Sequence, residues 1–470
     1  MFSEIKETRN LVQNSNRNFH DSSEPHLICK KGFPCECDTG EDRIVNCDKQ
    51  YQADETALST TNLQIAIEDY IAKKVSFKYN VIQDILPNEI MPGQEHNIVE
   101  LDFSNNHILK LFSHVFDRFK VLQILKLSHN RIGSLEKVVF TDPIKKTLKS
   151  LYLDYNLLEE IPDDFFNILH SLTTLVLDGN SGIKLTAKTF GAGLKNLKSL
   201  SLDYCGLTVL PDNLFINLVN LEQLSLRGNK IVSIPAAVNA IPHLSILDIS
   251  ESDITEIRES SFDTDHKLTQ LIMKNMTFLY AINDCAFCGL SALKSVDFSN
   301  SIHLYHIHEN AFGLTTQLTE LSSVMEEINF SNCKLSSISP KLLLWDKLHA
   351  IRISGNPLIC DCQMNWLISN QNYHVAFGND LPVCASPENN AGKTLHKAKV
   401  SGCRNINLGQ FMLKILMLSF LIISAYVIIR LIYTKRLSIN RSSNNANPLP
   451  SVAYRHLLRQ SDENPFSNEN

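Results

Sequence analysis

Aliphatic residues recur along this chain in one arrangement, L-x-x-L-x-L-x-x-N-x-L with aliphatic or aromatic substitutions. Ile98, Leu101, Phe103, Asn106 and Ile108 make one copy, and Leu122, Leu125, Leu127, Asn130 and Ile132 make the next. Further copies begin at Leu148, Leu172, Leu197, Leu221, Leu244, Leu268, Leu293, Met325 and Leu348, in steps of 24, 26, 24, 25, 24, 23, 24, 25, 32 and 23 residues. A weaker copy starts at Ala72 with Val75, Phe77, Asn80 and Ile82, which brings the array over 72–358 to about twelve.

Within each copy the L-x-L segment alternates with period two, so it predicts a short strand with aliphatic side chains inward and the intervening ones in solvent. No single copy can bury its apolar face, so the copies must stack and their strands pair into a parallel sheet. The Asn is suited to the turn after the strand, because its amide both donates to and accepts from backbone groups that would otherwise be buried unpaired. Cys205 and Cys333 take that same place and read as structural. Later in each copy Ile161, Phe165 and Leu169, or Leu210, Phe215 and Leu218, return to the interior from the convex side. Pro162, Pro211 and Pro235 discourage a long helix there.

Composition narrows the class. A formal charge of -6 and a pI near 6.2 argue against nucleic acid as a partner, since Lys and Arg are not clustered. The spacing of Cys285 and Cys288, followed by His303 and His306, is close to that of a zinc finger. However, Phe287, Leu290, Leu293, Val296 and Phe298 all fall on interior positions of the repeat, where a zinc finger cannot form. No metal is expected, and Cys285 and Cys288 are either free thiols or a local disulfide. His303, His306 and His308 are expected to flank Leu304 and Ile307 in a surface turn.

The other cysteines gather at the ends of the array, Cys29, Cys35, Cys37 and Cys47 before it and Cys360, Cys362, Cys384 and Cys403 after it. Such groups suggest disulfide-closed caps in an oxidising compartment. With the repeats, the segment CKKGFPCECDTGEDRIVNC and the segment NPLICDCQMNWL, this chain resembles the extracellular leucine-rich repeat family over about three quarters of its length. Asn356, Pro357, Cys360, Asp361, Cys362, Trp366 and Leu367 match its C-terminal cap, whereas Leu358 departs from the aromatic residue common there. The resemblance implies an α/β fold, a horseshoe solenoid with a parallel concave sheet. It also implies first-to-third and second-to-fourth pairing in each cap: Cys29 with Cys37, Cys35 with Cys47, Cys360 with Cys384, and Cys362 with Cys403. The expected organisation is a disordered segment over 1–28 without a recognisable signal peptide, an N-terminal cap and linker over 29–71, the repeats, and a C-terminal cap over 359–403.

Residues 411–433, FMLKILMLSFLIISAYVIIRLIY, would make a helix of about 34 Å, enough to cross a bilayer. Positive charge is nearly balanced across it, so the cap cysteines place the N-terminal side outside, at the plasma membrane. The tail over 434–470 is expected to be disordered and cytoplasmic. It is too short for a signalling domain of the Toll-like kind, but carries Tyr454-Arg-His-Leu457 and Asn464-Pro465-Phe466, which resemble endocytic signals.

No nucleophile-and-base arrangement, phosphate loop or metalloprotease motif emerges, so neither an enzyme nor a cofactor is expected. What remains is a concave arc of roughly 55 Å, large enough for an extracellular protein ligand or a cell-surface protein. Tyr152, Asp154, Tyr155, Asp178, Asp203, Tyr204 and Arg227 are the candidate ligand face, with aromatic and Arg anchors and an acidic row to steer a basic partner. Asn275-Met-Thr and Asn329-Phe-Ser are glycosylation sequons, and Asn329, between Ile328 and Phe330, points to the concave side. A recognition or adhesion protein is the leading expectation. A Toll-like co-receptor or decoy comes next, and a secreted matrix protein is disfavoured by the apolar span.

Overall fold

The computed structural model describes residues 26–30, 35–49, 58–262, 267–313, 325–403 and 408–442. The endocytic-type motifs at Tyr454, Leu457, Asn464, Pro465 and Phe466 lie outside the described residues, as do 1–25. The solenoid and the C-terminal helix are two separate compact units.

The solenoid is organised by a 14-stranded sheet. It opens with an antiparallel pair in the N-terminal cap, Glu36–Cys37 against Ile44–Asn46, and every later pairing is parallel. One strand per repeat follows, from Lys74–Ser76 to Ala350–Arg352. In each repeat the strand's middle residue stands in register with the next, as Leu151 does with Leu175 and Leu224 with Leu247. These middle residues are fully buried, while their neighbours on the strand are half-buried or exposed, Asp102 excepted, as the period-two pattern requires.

Two side-chain ladders tie one repeat to the next. The Asn106 Nδ2 donates to Phe77 O of the preceding repeat at 2.8 Å and to its own Phe103 O at 3.0 Å, while its Oδ1 accepts the Ile82 N–H. Asn130, Asn156, Asn180, Asn229 and Asn356 repeat the arrangement. Cys205 Sγ keeps only the donor half, to Leu177 O at 3.4 Å, and Cys333 does the same to Phe298 O at 3.3 Å. Burial pushes both thiols up to about 12, so each stays protonated and able to donate.

Phenylalanines form the second ladder on the convex side. Phe116 meets Phe140 at 6.0 Å, Phe140 meets Phe165 at 5.4 Å, and Phe166, Phe190 and Phe215 continue the stack. Val238 takes the next place and interrupts it. Phe262, Phe287 and Phe312 resume it. The convex segments hold only short helical turns such as Ala236–Asn239, which Pro235 precedes.

Disulfides join Cys29 to Cys37, Cys35 to Cys47 and Cys360 to Cys384, and Cys362 and Cys403 are also disulfide-bonded. Cys285 bonds to Cys288, which settles the alternative the sequence left open and removes the thiolates a metal would need. His306 begins a two-residue strand, His306–Ile307, and His303 Nδ1 lies 2.6 Å from Thr277 O.

The C-terminal helix runs over Leu408–Ser442. Its apolar stretch, Leu413–Lys435, has a mean hydropathy of 2.5 and is long and apolar enough to cross a membrane. Ser419, Ser424 and Thr434 turn their hydroxyls back onto helix carbonyls at 2.8 to 3.0 Å, which satisfies those three donors within the helix.

Candidate functional site

The concave face has a feature that strand periodicity alone does not disclose. Three residues beyond the end of each strand, every repeat carries a residue in the left-handed region: Tyr79, Asn105, His129, Tyr155, Gly179, Tyr204, Gly228, Glu251, Asn275, Asn300, Asn332 and Gly355. Each turns the chain towards the ladder position, and all but Gly355 of the last repeat still reach the next repeat with their N–H, as Tyr155 N–H does to Asp178 O at 2.6 Å. Tyr155 and Tyr204 are therefore turn residues at the rim of the sheet rather than strand residues. Gly and Asn take such a conformation at little cost, but a tyrosine is expensive there.

The neighbouring repeat shows what compensates. Tyr155 stacks on His129 with centroids 4.5 Å apart and lies over Gly179, where a Cβ would come within 2.6 Å of its ring. Tyr204 lies over Gly228 in the same way, where a Cβ would meet the ring at 2.2 Å. Tyr155 and Tyr204 each have a glycine one repeat later, whereas Tyr79 is followed by Asn105. The signal was present in the sequence as LDYN beside LDGN and LDYC beside LRGN, tyrosine standing where glycine alternates.

Tyr204 anchors a cluster that crosses four repeats. Its hydroxyl donates to Glu251 Oε2 at 2.8 Å, and Arg227 places Nε at 3.1 Å and Nη2 at 2.5 Å from Glu251 Oε1. The Arg227 guanidinium sits 5.7 Å from the centre of the Tyr204 ring, and Asn275 Nδ2 donates to Glu251 Oε1 at 3.1 Å. Burial works to raise the Glu251 pKa, but hydrogen bonds from Arg227, Tyr204 and Asn275 outweigh it and hold the carboxylate below its usual range. Sequence reasoning passed over Glu251, since nothing local shows that Tyr204 spans two repeats to reach it.

The acidic row is less free than its sequence suggests. Asp178 Oδ1 accepts the Asp203 N–H at 2.8 Å, and Asp203 Oδ1 accepts the Ser225 hydroxyl at 2.5 Å and the Arg227 N–H at 2.9 Å. Asp154 accepts the Ser128 hydroxyl at 2.6 Å. Burial raises the pKa of Asp178, and it pushes Asp203 up to about 6. Tyr152 stands half-buried on the strand between Lys126 and Val176, apart from the Tyr204 cluster. The structure thus gathers Asp178, Asp203, Tyr204 and Arg227 into one patch and sets Tyr155, with His129, beside it.

Residues 146–203 and 195–254 match the family described as Leucine rich repeat, and residues 241–344 match the BspA type Leucine rich repeat region of six copies. The repeats are leucine-rich repeats. Leucine-rich repeat-containing protein 3 of Danio rerio is 33% identical over 87 residues, 18% of this chain and 32% of that protein. A phospholipase A2 inhibitor of Gloydius brevicaudus siniticus is 27% identical over 114 residues, 21% of this chain and 34% of that protein. The chain spans about a third of the length of these curated relatives. A leucine-rich repeat solenoid supports a protein-binding role, and no catalytic family is among the matches. A separate group of exposed apolar side chains, Phe278, Tyr280, Ile302 and Tyr305, lies on the repeat of Asn275 and the one after it, with Tyr280 and Tyr305 stacked at 6.2 Å.

Proposed function

We propose that this leucine-rich repeat protein is a single-pass cell-surface recognition or adhesion molecule, with its solenoid outside the cell and its concave face docked to another protein. The observation that carries the reading is the Tyr204, Arg227 and Glu251 cluster, an exposed aromatic and an Arg already held in one geometry by Glu251. Anchors fixed before binding lose little side-chain freedom on contact, and Tyr and Arg are the residue types in which binding energy concentrates. The phospholipase A2 inhibitor is by its name a protein that acts on another protein, which agrees with docking. The disulfide caps and the apolar helix support the placement at the plasma membrane.

Cells displaying the full chain, screened against an array of soluble ectodomains, are expected to retain a partner with a Kd on the order of micromolar or tighter. Arg227→Ala and Tyr204→Ala are each expected to weaken that partner by about tenfold or more. If Phe278→Ala and Tyr305→Ala abolish binding while Arg227→Ala leaves it intact, the interface lies on the other apolar group and the concave reading fails.

A further inference from the structure

We infer that Asn329 carries an N-linked glycan that covers the C-terminal part of the concave face, so that a protein partner is confined to the strands from Lys74–Ser76 to Ile246–Asp248. The inference rests on the outward placement of the solenoid proposed above. Asn329 ends the strand Glu327–Asn329 on the concave side, half-buried, in register with Asp297 on one neighbour and Arg352 on the other. Its Oδ1 accepts the N–H of Ser331, the sequon hydroxyl residue, at 3.1 Å, and its Nδ2 has no hydrogen-bond partner among the described residues. Asn275, in the other sequon, instead directs its Nδ2 to Glu251 as part of the Tyr204 cluster.

The surroundings of Asn329 leave room for sugar. The concave positions of the last three repeats include the small residues Ser295, Ser299, Ser331, Ala350 and Ser354, and the larger Arg352 and Glu327 beside Asn329 are drawn together in an ion pair at 3.6 Å. With strands about 4.8 Å apart, a branched glycan rooted in the middle column overlies its neighbours on both sides. Transfer forms a bond from the Asn329 Nδ2 to the anomeric carbon and breaks that carbon's bond to oxygen in a polyprenyl diphosphate donor. The diphosphate leaves, one amide proton is released, and Nδ2 keeps one N–H.

Two measurements on the full chain, made in cells with a secretory pathway and taken up in detergent, test this. In the first, a digest is treated with peptide N-glycosidase in heavy-oxygen water, and Asn329 is expected to convert to heavy-labelled Asp. The same digest reports whether the Cys360–Cys384 peptides are joined. Joined peptides with Asn329 unconverted overturn the glycan alone, whereas separate peptides and an unconverted Asn329 overturn the outward placement as well. In the second, Arg352→Cys and Gln223→Cys are labelled with a bulky maleimide polymer, since Cys205 and Cys333 are buried. Arg352→Cys is expected to react several-fold more slowly than Gln223→Cys, and both Asn329→Gln and Ser331→Ala are expected to abolish the difference. Equal labelling of Arg352→Cys with and without the sequon overturns the shielding.

Discussion

A tyrosine in the left-handed region persists only where its surroundings hold it, and for Tyr204 the holding surface is the bare backbone of Gly228. Gly228→Ala would put a methyl group into the Tyr204 ring and force a non-glycine residue to a φ of +70°. The backbone part alone costs about 1–2 kcal/mol. The expected result is a lowered urea midpoint, with a smaller loss when Tyr204 is also Ala, because the clash and the strain share one site. Asp203 offers a test through pH. Burial places its folded pKa at about 6, above the value of about 4 for an unfolded aspartate, so between these two values the folded chain binds the proton more readily. Its contribution to stability therefore grows as pH falls through about 6, levels off below about 4, and is least favourable above pH 6. Asp203→Asn keeps an oxygen for Ser225 and Arg227 but cannot titrate. Urea unfolding at pH 5 and pH 7.5 is expected to show a smaller difference for the variant than for the parent chain. An equal difference would place the titrating group elsewhere.

Between repeats, stability depends on how many of the ladder's bonds each residue supplies. Asn130→Ala leaves the buried Ile108 N–H without its acceptor and removes three donations, to Phe103 O, Leu127 O and Ser128 O. A loss of about 3 kcal/mol is expected, read from denaturant unfolding. Cys205→Ala removes one weak donation to Leu177 O, a carbonyl that Asn180 Nδ2 still serves at 2.7 Å, so its cost should be well below that of Asn130→Ala. If the two variants cost the same, packing rather than hydrogen bonding sets the ladder's worth. This element-level logic was legible in the sequence, because each repeat sees nearly the same neighbours and an aliphatic residue at a fixed offset has one place to go. The inward set of Leu101, Leu125, Leu151 and Leu175 could be read off directly. The candidate face was only partly legible. Tyr152, Asp154 and Asp178 follow from alternation, whereas the placement of Tyr155 and Tyr204 depends on φ, and the role of Glu251 depends on a reach across two repeats.

At the scale of the whole molecule, a solenoid is open at both ends, and its cooperativity is limited by how well those ends are sealed. The C-terminal seal can be followed separately from the rest, since the chain has two tryptophans and both are there. Trp345 lies in the last convex turn, and Trp366 in the cap packs against it with centroids 4.9 Å apart while donating to Ile338 O at 3.3 Å. Tyr373 closes on the other side of Trp366 at 5.7 Å. The Cys360–Cys384 disulfide fixes the strand Leu358–Ile359 against Cys384–Ser386 beneath this group. It closes a loop of 24 residues, for which chain entropy predicts about 3 kcal/mol of stabilisation, all of it local to the cap. Its removal by Cys360→Ser with Cys384→Ser should therefore uncouple the end from the array. Tryptophan emission is expected to shift to the red at a lower denaturant concentration than the loss of sheet signal in far-ultraviolet circular dichroism, while the two transitions coincide in the parent chain. Coincident transitions in the variant would mean that the Trp345 and Trp366 contact, with the bonded Cys362 and Cys403 still in place, holds the end without the Cys360–Cys384 bond.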